Sequence, residues 1–407
     1  MASTINTNIA SLTAQRNLGM SANSLQTSMQ RLSSGLRVNS AKDDAAGLAI
    51  SERMNTQIKG LTVGARNSND GISLAQTAEG SLGKVGDMLQ RMRELAVQSG
   101  NSTNSKADRA ALQAEVKQLT DEIDRVAKQT SFNGQKILDG SFSGAVFQVG
   151  ANSGDNITVG ALTDTTAKGL ADVVFAYDKT SDIDASSVTD LAAITDGSAL
   201  QITDGVTTWD LGTIKEAKSG TERMGQMVEA INRKSADTGV TAFLSKQDNG
   251  SYTIDLMSSK LDSNGDAATL TLTGFTAENF GYDVADVGDA GVILSATDTT
   301  TDSLGIDTLS VDTQANAWVA LKKIDSAIDQ VNSARADLGA LQSRFENSVG
   351  NIETQVENLS ASRGRIVDAD FAKETANLSR TQILQQAGTA MVAQANQLPQ
   401  GVLSLLR

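Results

Sequence analysis

Three oxygen-bearing side chains at alternate positions come nearest to a metal-binding motif in this chain. Asp262, Asn264 and Asp266 repeat the spacing that opens an EF-hand calcium loop, in which carboxylate and amide oxygens ligate the ion. That loop requires glycine at its sixth position and glutamate at its twelfth, where this chain has Ala267 and Thr273. The spacing therefore indicates a solvated turn, and we expect no metal site here.

A second acidic pair, Asp43 and Asp44, has the types needed for metal or acid–base chemistry, but its position favours a structural role. Ser40 and Asp43 have the spacing of a helix capping box, which predicts a helix that starts at about Ala41. Both carboxylates would then lie at the positive end of the helix dipole. We interpret the pair as first-turn acids of a helix.

The residue types that are missing exclude several kinds of chemistry. The 407 residues include no cysteine and no histidine, which excludes disulfides, thiol or imidazole catalysis and Cys/His zinc sites. The P-loop, GxSxG and HExxH motifs do not occur. Because the scattered carboxylates converge on no predicted site, we expect no enzyme, no catalytic residue and no cofactor.

Charge is distributed unevenly along the chain. The net charge is −14, and residues 141–312 contain 26 acidic and 9 basic side chains. Residues 1–36 contain only Arg16 and Arg31, and residues 371–407 contain four charged side chains. This pattern predicts a solvent-exposed middle and buried ends, and the negative charge argues against binding nucleic acid or anionic lipid. No apolar run approaches the roughly 18 residues of a membrane helix, and no ordinary signal peptide is visible.

The sequence predicts that long helices form most of the scaffold outside residues 141–312. Apolar residues from Ala317 to Leu359 recur every four and every three positions in alternation. This heptad pattern predicts a helix over about 313–360 that packs along partner helices. Similar patterns predict a helix over 70–99 and a third, antiparallel helix that is capped by Ser105 or Asp108.

Both ends of the chain carry apolar helical patterns almost without charge. The residues off these patterns in 4–36 and 371–407 are mostly small or uncharged polar types, whereas a solvated helix usually carries charge. We therefore predict two helices that become buried between subunits, the second of which ends at the only proline, Pro399. The predicted self-association residues are Ile5, Ile9, Leu12, Leu18, Leu25, Met29, Leu32, Ile383, Leu384, Met391, Leu398, Leu403 and Leu406.

Residues 141–312 change to a composition rich in threonine, aspartate, glycine and alternating apolar residues. The predicted strands are Ala145–Val149, Val173–Tyr177, Ala199–Thr203, Thr207–Leu211, Val240–Lys246, Ser251–Met257, Ala268–Thr273 and Val292–Ala296. Asp248-Asn249-Gly250 predicts a hairpin, and 221–235 is predicted to be a helix whose methionines face inward. The sequence thus predicts an α + β protein, in which both chain ends form a long coiled-coil-like bundle and one or two small, mostly β domains are inserted between them.

Long stretches of sequence at both ends of the chain resemble the corresponding segments of the bacterial flagellin family. They are Arg31–Gln57, NDGISLAQTAEG at Asn69–Gly80, QRMRELAVQ at Gln90–Gln98, and the C-terminal stretch Ser379–Arg407. The resemblance covers about residues 1–150 and 310–407. It implies a structural subunit that polymerises into the helical filament of the bacterial flagellum and is secreted by type III export.

The resemblance also implies a domain layout. It predicts inner-core helices from 1–40 and 370–407, a helical rod from 41–140 and 313–369, and variable outer domains from 141–312. Two alternatives remain open at this point, another axial component such as the hook–filament junction protein and an adhesin that acts through the central domain.

Several partners are implied by the resemblance alone. They are copies of the same chain, an export chaperone, cap and hook-junction proteins, and the vertebrate Toll-like receptor 5, with no nucleic acid and no membrane insertion. The implied receptor-binding residues are Gln90, Arg91, Leu95, Glu115 and Ile324.

Overall fold

The computed structural model describes residues 7–179, 182–247, 249–280, 292–294 and 304–405. The helices of this part are α1 (Ile9–Ser34), α2 (Ala45–Ser99), α3 (Lys106–Gln129), α4 (Gly220–Arg233), α5 (Ser235–Thr238), α6 (Ala277–Phe280), α7 (Gln314–Val367) and α8 (Phe371–Leu405). Its strands are β1 (Ser131–Phe132), β2 (Gln135–Lys136), β3 (Ala145–Gln148), β4 (Asn156–Val159), β5 (Ala176–Lys179), β6 (Gln201–Thr203), β7 (Thr208–Asp210), β8 (Val240–Lys246), β9 (Tyr252–Ser258), β10 (Leu270–Thr273) and β11 (Val292–Leu294).

The chain divides into two compact units, and both α2 and α7 have residues in each of them. The first unit comprises Met1–Gly71, Val146–Ile157 and Arg344–Arg407, and the second comprises Ile72–Ala145 and Thr158–Ser343. The predicted α + β class, with helices at both chain ends and β structure in the middle, is confirmed.

In the second unit, α2, α3 and α7 share an apolar seam. Its fully buried members are Leu82, Val85, Leu89, Met92, Val116, Ile123, Ile324 and Val331. The backbones approach closely, since a Cβ atom at Gly86 would lie 3.9 Å from Cγ1 of Val331. The predicted heptad helices are therefore confirmed, and α7 continues beyond the expected end near 360 to Val367.

The start of α3 follows the predicted capping pattern. The backbone N–H of Asp108 donates to Ser105 Oγ at 3.2 Å, and the N–H of Ser105 donates to Asp108 Oδ2 at 3.0 Å. This reciprocal pair satisfies two of the backbone donors that a helix start leaves unpaired.

The start of α2 differs from its prediction. The helix begins at Ala45, so the expected start at Ala41 is wrong. The N–H of Ser40 donates to Asp43 Oδ2 at 2.9 Å and closes a turn ahead of the helix. Asp44 takes the capping position instead, because its Oδ1 accepts the backbone N–H three residues later at 2.8 Å. From there one helix runs without a break to Ser99.

Two antiparallel sheets lie in the second unit. One has the strand order β11-β10-β6-β7 and the other β5-β9-β8. Each predicted strand overlaps an observed one, and β8 and β9 form a hairpin that pairs Lys246 with Tyr252 at its turn. Asp248 of the predicted turn, like residues 295–296 of the last predicted strand, lies outside the described residues. The strands β1, β2 and β4 were not predicted.

The helix α4 covers the three-stranded sheet. Met224, Met227 and Ile231 are fully buried, as the sequence predicted. At the sheet edge, Asn232 Nδ2 donates to the carbonyl of Ala242 in β8, and the N–H of Ala242 donates to Asn232 Oδ1, both at 2.8 Å. One side-chain amide thus pairs with the strand edge as a neighbouring strand would.

The hairpin of β3 and β4 contacts helices of the first unit. Asn67 Nδ2 in α2 donates to the carbonyl of Gln148 at 2.8 Å, and the Phe147 ring meets the Phe345 ring edge-on at 5.5 Å. A Cβ atom at Gly64 would lie 2.3 Å from the carbonyl oxygen of Val149, so this approach requires glycine. The first residues of the predicted insertion are therefore held against the helices.

Candidate self-association surface

The two terminal helices form an antiparallel pair within the first unit. Their contact is lined by small and polar residues, and Ser11 Oγ donates to Asn396 Oδ1 at 2.7 Å. A Cβ atom at Gly388 would lie 3.0 Å from Cδ1 of Leu18, and Thr381 and Ala395 are 8% exposed. Thr381, Gly388 and Ala395 recur every seven residues, so small residues bring the two backbones together along one side of α8.

An ion pair joins the end of α1 to the start of α8. Arg31 Nη1 lies 3.2 Å from Glu374 Oε1, with side chains 30% and 8% exposed. Arg31 is in the last turn of α1 and Glu374 in the first turn of α8, so each charge also interacts favourably with its own helix dipole. Beside the pair, the N–H of Ala369 donates to the carbonyl of Gly35 at 2.9 Å.

Pro399 does not end the last helix, and that prediction is wrong. α8 continues through it to Leu405. Because proline has no N–H, the carbonyl four residues earlier, that of Ala395, loses its helical donor. Asn8 Nδ2 of the opposite chain end donates to this carbonyl at 2.7 Å and replaces the missing bond.

Several large apolar side chains of both helices remain exposed beside this contact. On α1, Ile9 is 68% exposed, Leu12 57% and Met29 57%. On α8, Ile383 is 65% exposed and Met391 62%. Among the described residues, exposed apolar side chains of this size are therefore concentrated on the outer faces of the terminal helices.

The predicted self-association residues fall into two groups. Ile9, Leu12, Met29, Ile383, Leu384 and Met391 are exposed, whereas Leu18, Leu25 and Leu32 are half-buried. Met29, which the sequence pattern groups with Leu25 and Leu32, is exposed in the single subunit, and its burial between subunits stays a prediction. At Leu398 and Leu403 only the helical backbone is described, and Ile5 and Leu406 lie outside the described residues. The sequence pattern missed Met20 and Phe371, which are 55% and 66% exposed.

A second cluster, on α2, α3 and α7, contains the residues that the resemblance implies for receptor binding. Arg91 Nε donates to Glu115 Oε1 and its Nη1 donates to Glu94 Oε2, both at 2.9 Å. These hydrogen bonds, the one to Glu94 first, raise the pKa of Arg91 above its ordinary value. Gln90 is also exposed, while Leu95 and Ile324 are 1% and 0% exposed and lie in the core beneath.

A shallow groove of about 490 Å³ runs beside Arg91. It is lined by Gln90, Arg93, Glu94, Val97 and Gln98. Val97 is 53% exposed, so the groove presents one apolar side chain among polar ones. Arg93 is fixed by Asp325 of α7, whose Oδ1 lies 2.6 Å from Nε.

The spacing that resembled a calcium loop forms an exposed turn, as the sequence indicated. Asp262 Oδ1 accepts the backbone N–H groups of Asn264 at 2.8 Å and Asp266 at 2.9 Å. Across the described residues, no group of three or more acidic side chains is placed to hold a metal ion. In the same part of the chain, no helix has both the length and the apolar character needed to cross a membrane.

Comparison with known proteins gives matches at both ends and over the whole length. The family model described as the bacterial flagellin N-terminal helical region matches residues 5–143, and the bacterial flagellin C-terminal helical region matches residues 321–406. Flagellin C of Vibrio cholerae is 40% identical over 422 residues, with 100% of both chains covered. The B-type flagellin of Pseudomonas aeruginosa is 37% identical over 489 residues, again with 100% of both chains covered. The chain therefore belongs to the bacterial flagellin family, whose members are structural subunits of the flagellar filament.

Proposed function

We propose that the outer faces of α1 and α8 are the surface through which copies of this subunit associate in the filament. The observation that carries this proposal is that the helix pair buries polar residues such as Ser11 and Thr381 while large apolar residues such as Leu12 and Ile383 stay exposed. A monomer rarely leaves such side chains clustered in water unless a partner covers them. Fully burying one of them stabilises a contact by roughly 1.5–3 kcal/mol, and those here are already partly buried, so each contributes less.

The geometry of association follows from the kind of interface. A surface that binds a different surface of the next copy gives a ring if the rotation closes and an open helix if it does not. Modest contacts are sufficient, because each subunit in such a polymer binds several neighbours at once. The filament therefore needs only weakly binding faces that are repeated on every copy.

The distribution of charge supports a radial order for the domains. We place 1–40 and 370–407 in the inner layer, 41–140 and 313–369 around them, and most of 141–312 outside. The inner layer carries few charges and the outer part carries a net excess of acidic side chains. Burying the uncharged ends and solvating the acidic middle is the arrangement with the smallest desolvation cost.

Point substitutions on the outer faces test the association surface. The full chain with Leu12→Asn and Ile383→Asn should remain folded, because both side chains are already exposed in the monomer, but should no longer form filaments. Electron microscopy after addition of ammonium sulfate gives the readout. The matched control is Val206→Asn, at a turn residue that is 94% exposed and lies far along the chain from both helices. Filaments of ordinary yield from the double variant would refute the assignment.

For the second cluster we propose recognition by the vertebrate Toll-like receptor 5, as the resemblance implies. Gln90, Arg91 and Glu115 supply the polar contacts, and the buried Leu95 and Ile324 hold the surface in place. The readout is receptor signalling in reporter cells with Arg91→Ala. Arg125→Ala, which removes another exposed arginine paired to a glutamate three residues away, is the control. Equal signalling by both variants would remove Arg91 from the recognition surface.

We further propose that the subunit is secreted by type III export and that its partners include an export chaperone, cap and hook-junction proteins. The exposed apolar face of α8 is the part of a free subunit that most needs cover before assembly. Cells that express a chain lacking 371–407 should export it without building filaments. Its retention in the cell pellet would show that α8 is required before assembly as well.

A further inference from the structure

Methionines are divided between the core and one particular surface. Met92, Met224, Met227 and Met257 are at most 2% exposed. Met20, Met29 and Met391 are 55%, 57% and 62% exposed. Met54 and Met88 are half-buried. Within the described part of the chain, every methionine in the exposed class belongs to α1 or α8.

We infer that oxidation at Met20, Met29 and Met391, three separate exposed positions on the terminal helices, controls self-association. The inference rests on the proposed function, because it requires the outer faces of the terminal helices to be buried between copies. Met20 is eleven residues, or about three helical turns, from Ile9, which places both on one side of α1. Met391 is seven residues from Leu384 and likewise shares its side of α8.

The chemistry is oxygen transfer from a peroxide to the thioether. A lone pair on the methionine sulfur attacks one oxygen of hydrogen peroxide, the O–O bond breaks, and an S–O bond forms. After proton transfer the other oxygen leaves as water. The sulfur loses two electrons and the peroxide gains them, so a flexible apolar side chain becomes a polar, chiral sulfoxide.

A sulfoxide on these faces opposes association for a physical reason. Burying its oxygen in a subunit contact costs free energy unless a donor is available. We expect oxidation to raise the protein concentration needed for filament growth by about tenfold or more. Once a subunit is incorporated, its neighbours cover the same sulfurs and slow their oxidation. Oxidation thus keeps damaged subunits out of the growing filament, and burial protects the subunits that are already assembled.

The experiment begins with full-length monomer, treated with limited hydrogen peroxide and mapped by peptide mass spectrometry. Met20, Met29 and Met391 should convert first, while Met92, Met224, Met227 and Met257 in the same molecules stay reduced. The oxidised protein is then polymerised with ammonium sulfate, and the concentration of unassembled protein is measured by sedimentation. Treatment with methionine sulfoxide reductases should restore growth. Preformed filaments, mapped in parallel, should oxidise at the three positions at least several-fold more slowly than monomer.

Matched variants make the outcome specific. In Met20→Leu/Met29→Leu/Met391→Leu, the treated and untreated samples should require nearly the same concentration for growth. Met54→Leu/Met88→Leu should keep the sensitivity of the parent chain. Normal growth of parent protein that carries all three sulfoxides, or undiminished sensitivity of the triple variant, overturns the inference. Failure of untreated parent protein to polymerise instead overturns the proposed function, so the two failures are distinguishable.

Discussion

The helices of the second unit and the terminal helix pair have similar heptad patterns in sequence but use them in opposite ways. In the second unit, Leu89 and Met92 are 0% exposed, and the outer faces carry exposed ion pairs such as Arg125 with Glu122. On α1, which has no acidic residue, Leu12 stays 57% exposed. A heptad pattern therefore shows that a helix has a partner, and the charge on its other faces indicates whether that partner lies in the same chain.

The largest effect should come from truncating a leucine of the apolar seam that α2, α3 and α7 share. Leu89→Ala should lower the free energy of unfolding by about 2–5 kcal/mol, because it leaves a cavity among fully buried side chains. Leu12→Ala, the same change on an open face, should lower it by no more than about 0.5 kcal/mol. Chemical denaturation followed by circular dichroism measures both. Equal losses in the free energy of unfolding would show that Leu12 and Leu89 are equally well packed in the folded protein.

Removing one charge of the Arg31–Glu374 pair should have the next largest effect. Glu374→Gln leaves a half-buried guanidinium without its carboxylate, which should cost about 1–3 kcal/mol, less than for a fully buried pair. Amide hydrogen exchange in α1 and α8 should accelerate, while exchange in α3 stays unchanged. Exchanging the two residues, Arg31→Glu with Glu374→Arg, should restore only part of the protection, because both charges then oppose their helix dipoles. Unchanged exchange in Glu374→Gln would contradict the role of this pair.

A smaller, pH-dependent effect is expected for the ion pair that ties the hairpin of β6 and β7 to the end of β9. Lys260 Nζ lies 2.6 Å from Asp204 Oδ2 and 4.1 Å from the centre of the Trp209 ring. Hydrogen bonds from Lys260 first, and then from the backbone of Thr207 and Val206, hold the pKa of Asp204 well below its ordinary value.

Because the pKa of Asp204 is lower in the folded state, its contribution to stability is complete above the unfolded value of about 4 and decreases as pH falls below it. Thermal unfolding between about pH 2 and 6 should therefore show a loss of stability at the acid end that is smaller in Asp204→Asn. Parallel curves for the two proteins would exclude this carboxylate as a source of acid sensitivity.

The smallest effect belongs to the exposed pairs of the second unit. Lys117 and Asp121 lie 3.4 Å apart with side chains 71% and 65% exposed. Lys117→Ala should change the free energy of unfolding by less than about 0.5 kcal/mol, because solvent screens the pair. A loss above about 1 kcal/mol in chemical denaturation would mean that surface charge stabilises these helices as well as keeping them soluble.

Local sequence signals predicted those parts of the fold that depend on neighbouring residues. The capping pair at Ser105 and the turn that joins β8 to β9 were correct because the residues that determine them lie within a few positions of each other. The end of α8 could not be predicted in this way, since the donor that replaces the N–H missing at Pro399 is Asn8, from the other end of the chain.

The candidate surface was predicted in part for a similar reason. The spacing of apolar residues identified the two terminal helices. Each helix has apolar residues on two sides, so the spacing could not indicate which side packs against the other helix of the same chain. The heptad of small residues at Thr381, Gly388 and Ala395 was the available signal, because close backbone approach requires small side chains. The exposure of Met29 follows from the same geometry, in which a straight helix drifts away from a strict seven-residue repeat.

The two hydrogen bonds between Asn232 and Ala242 affect how the β part can contact copies of itself. Under the radial order proposed above, copies of the β part lie side by side on the filament at a high local concentration. An edge strand with unpaired backbone groups could there pair with the edge strand of an adjacent copy. By occupying the N–H and the carbonyl of Ala242, the third residue of β8, Asn232 removes a donor and an acceptor that a strand from another copy would need for pairing.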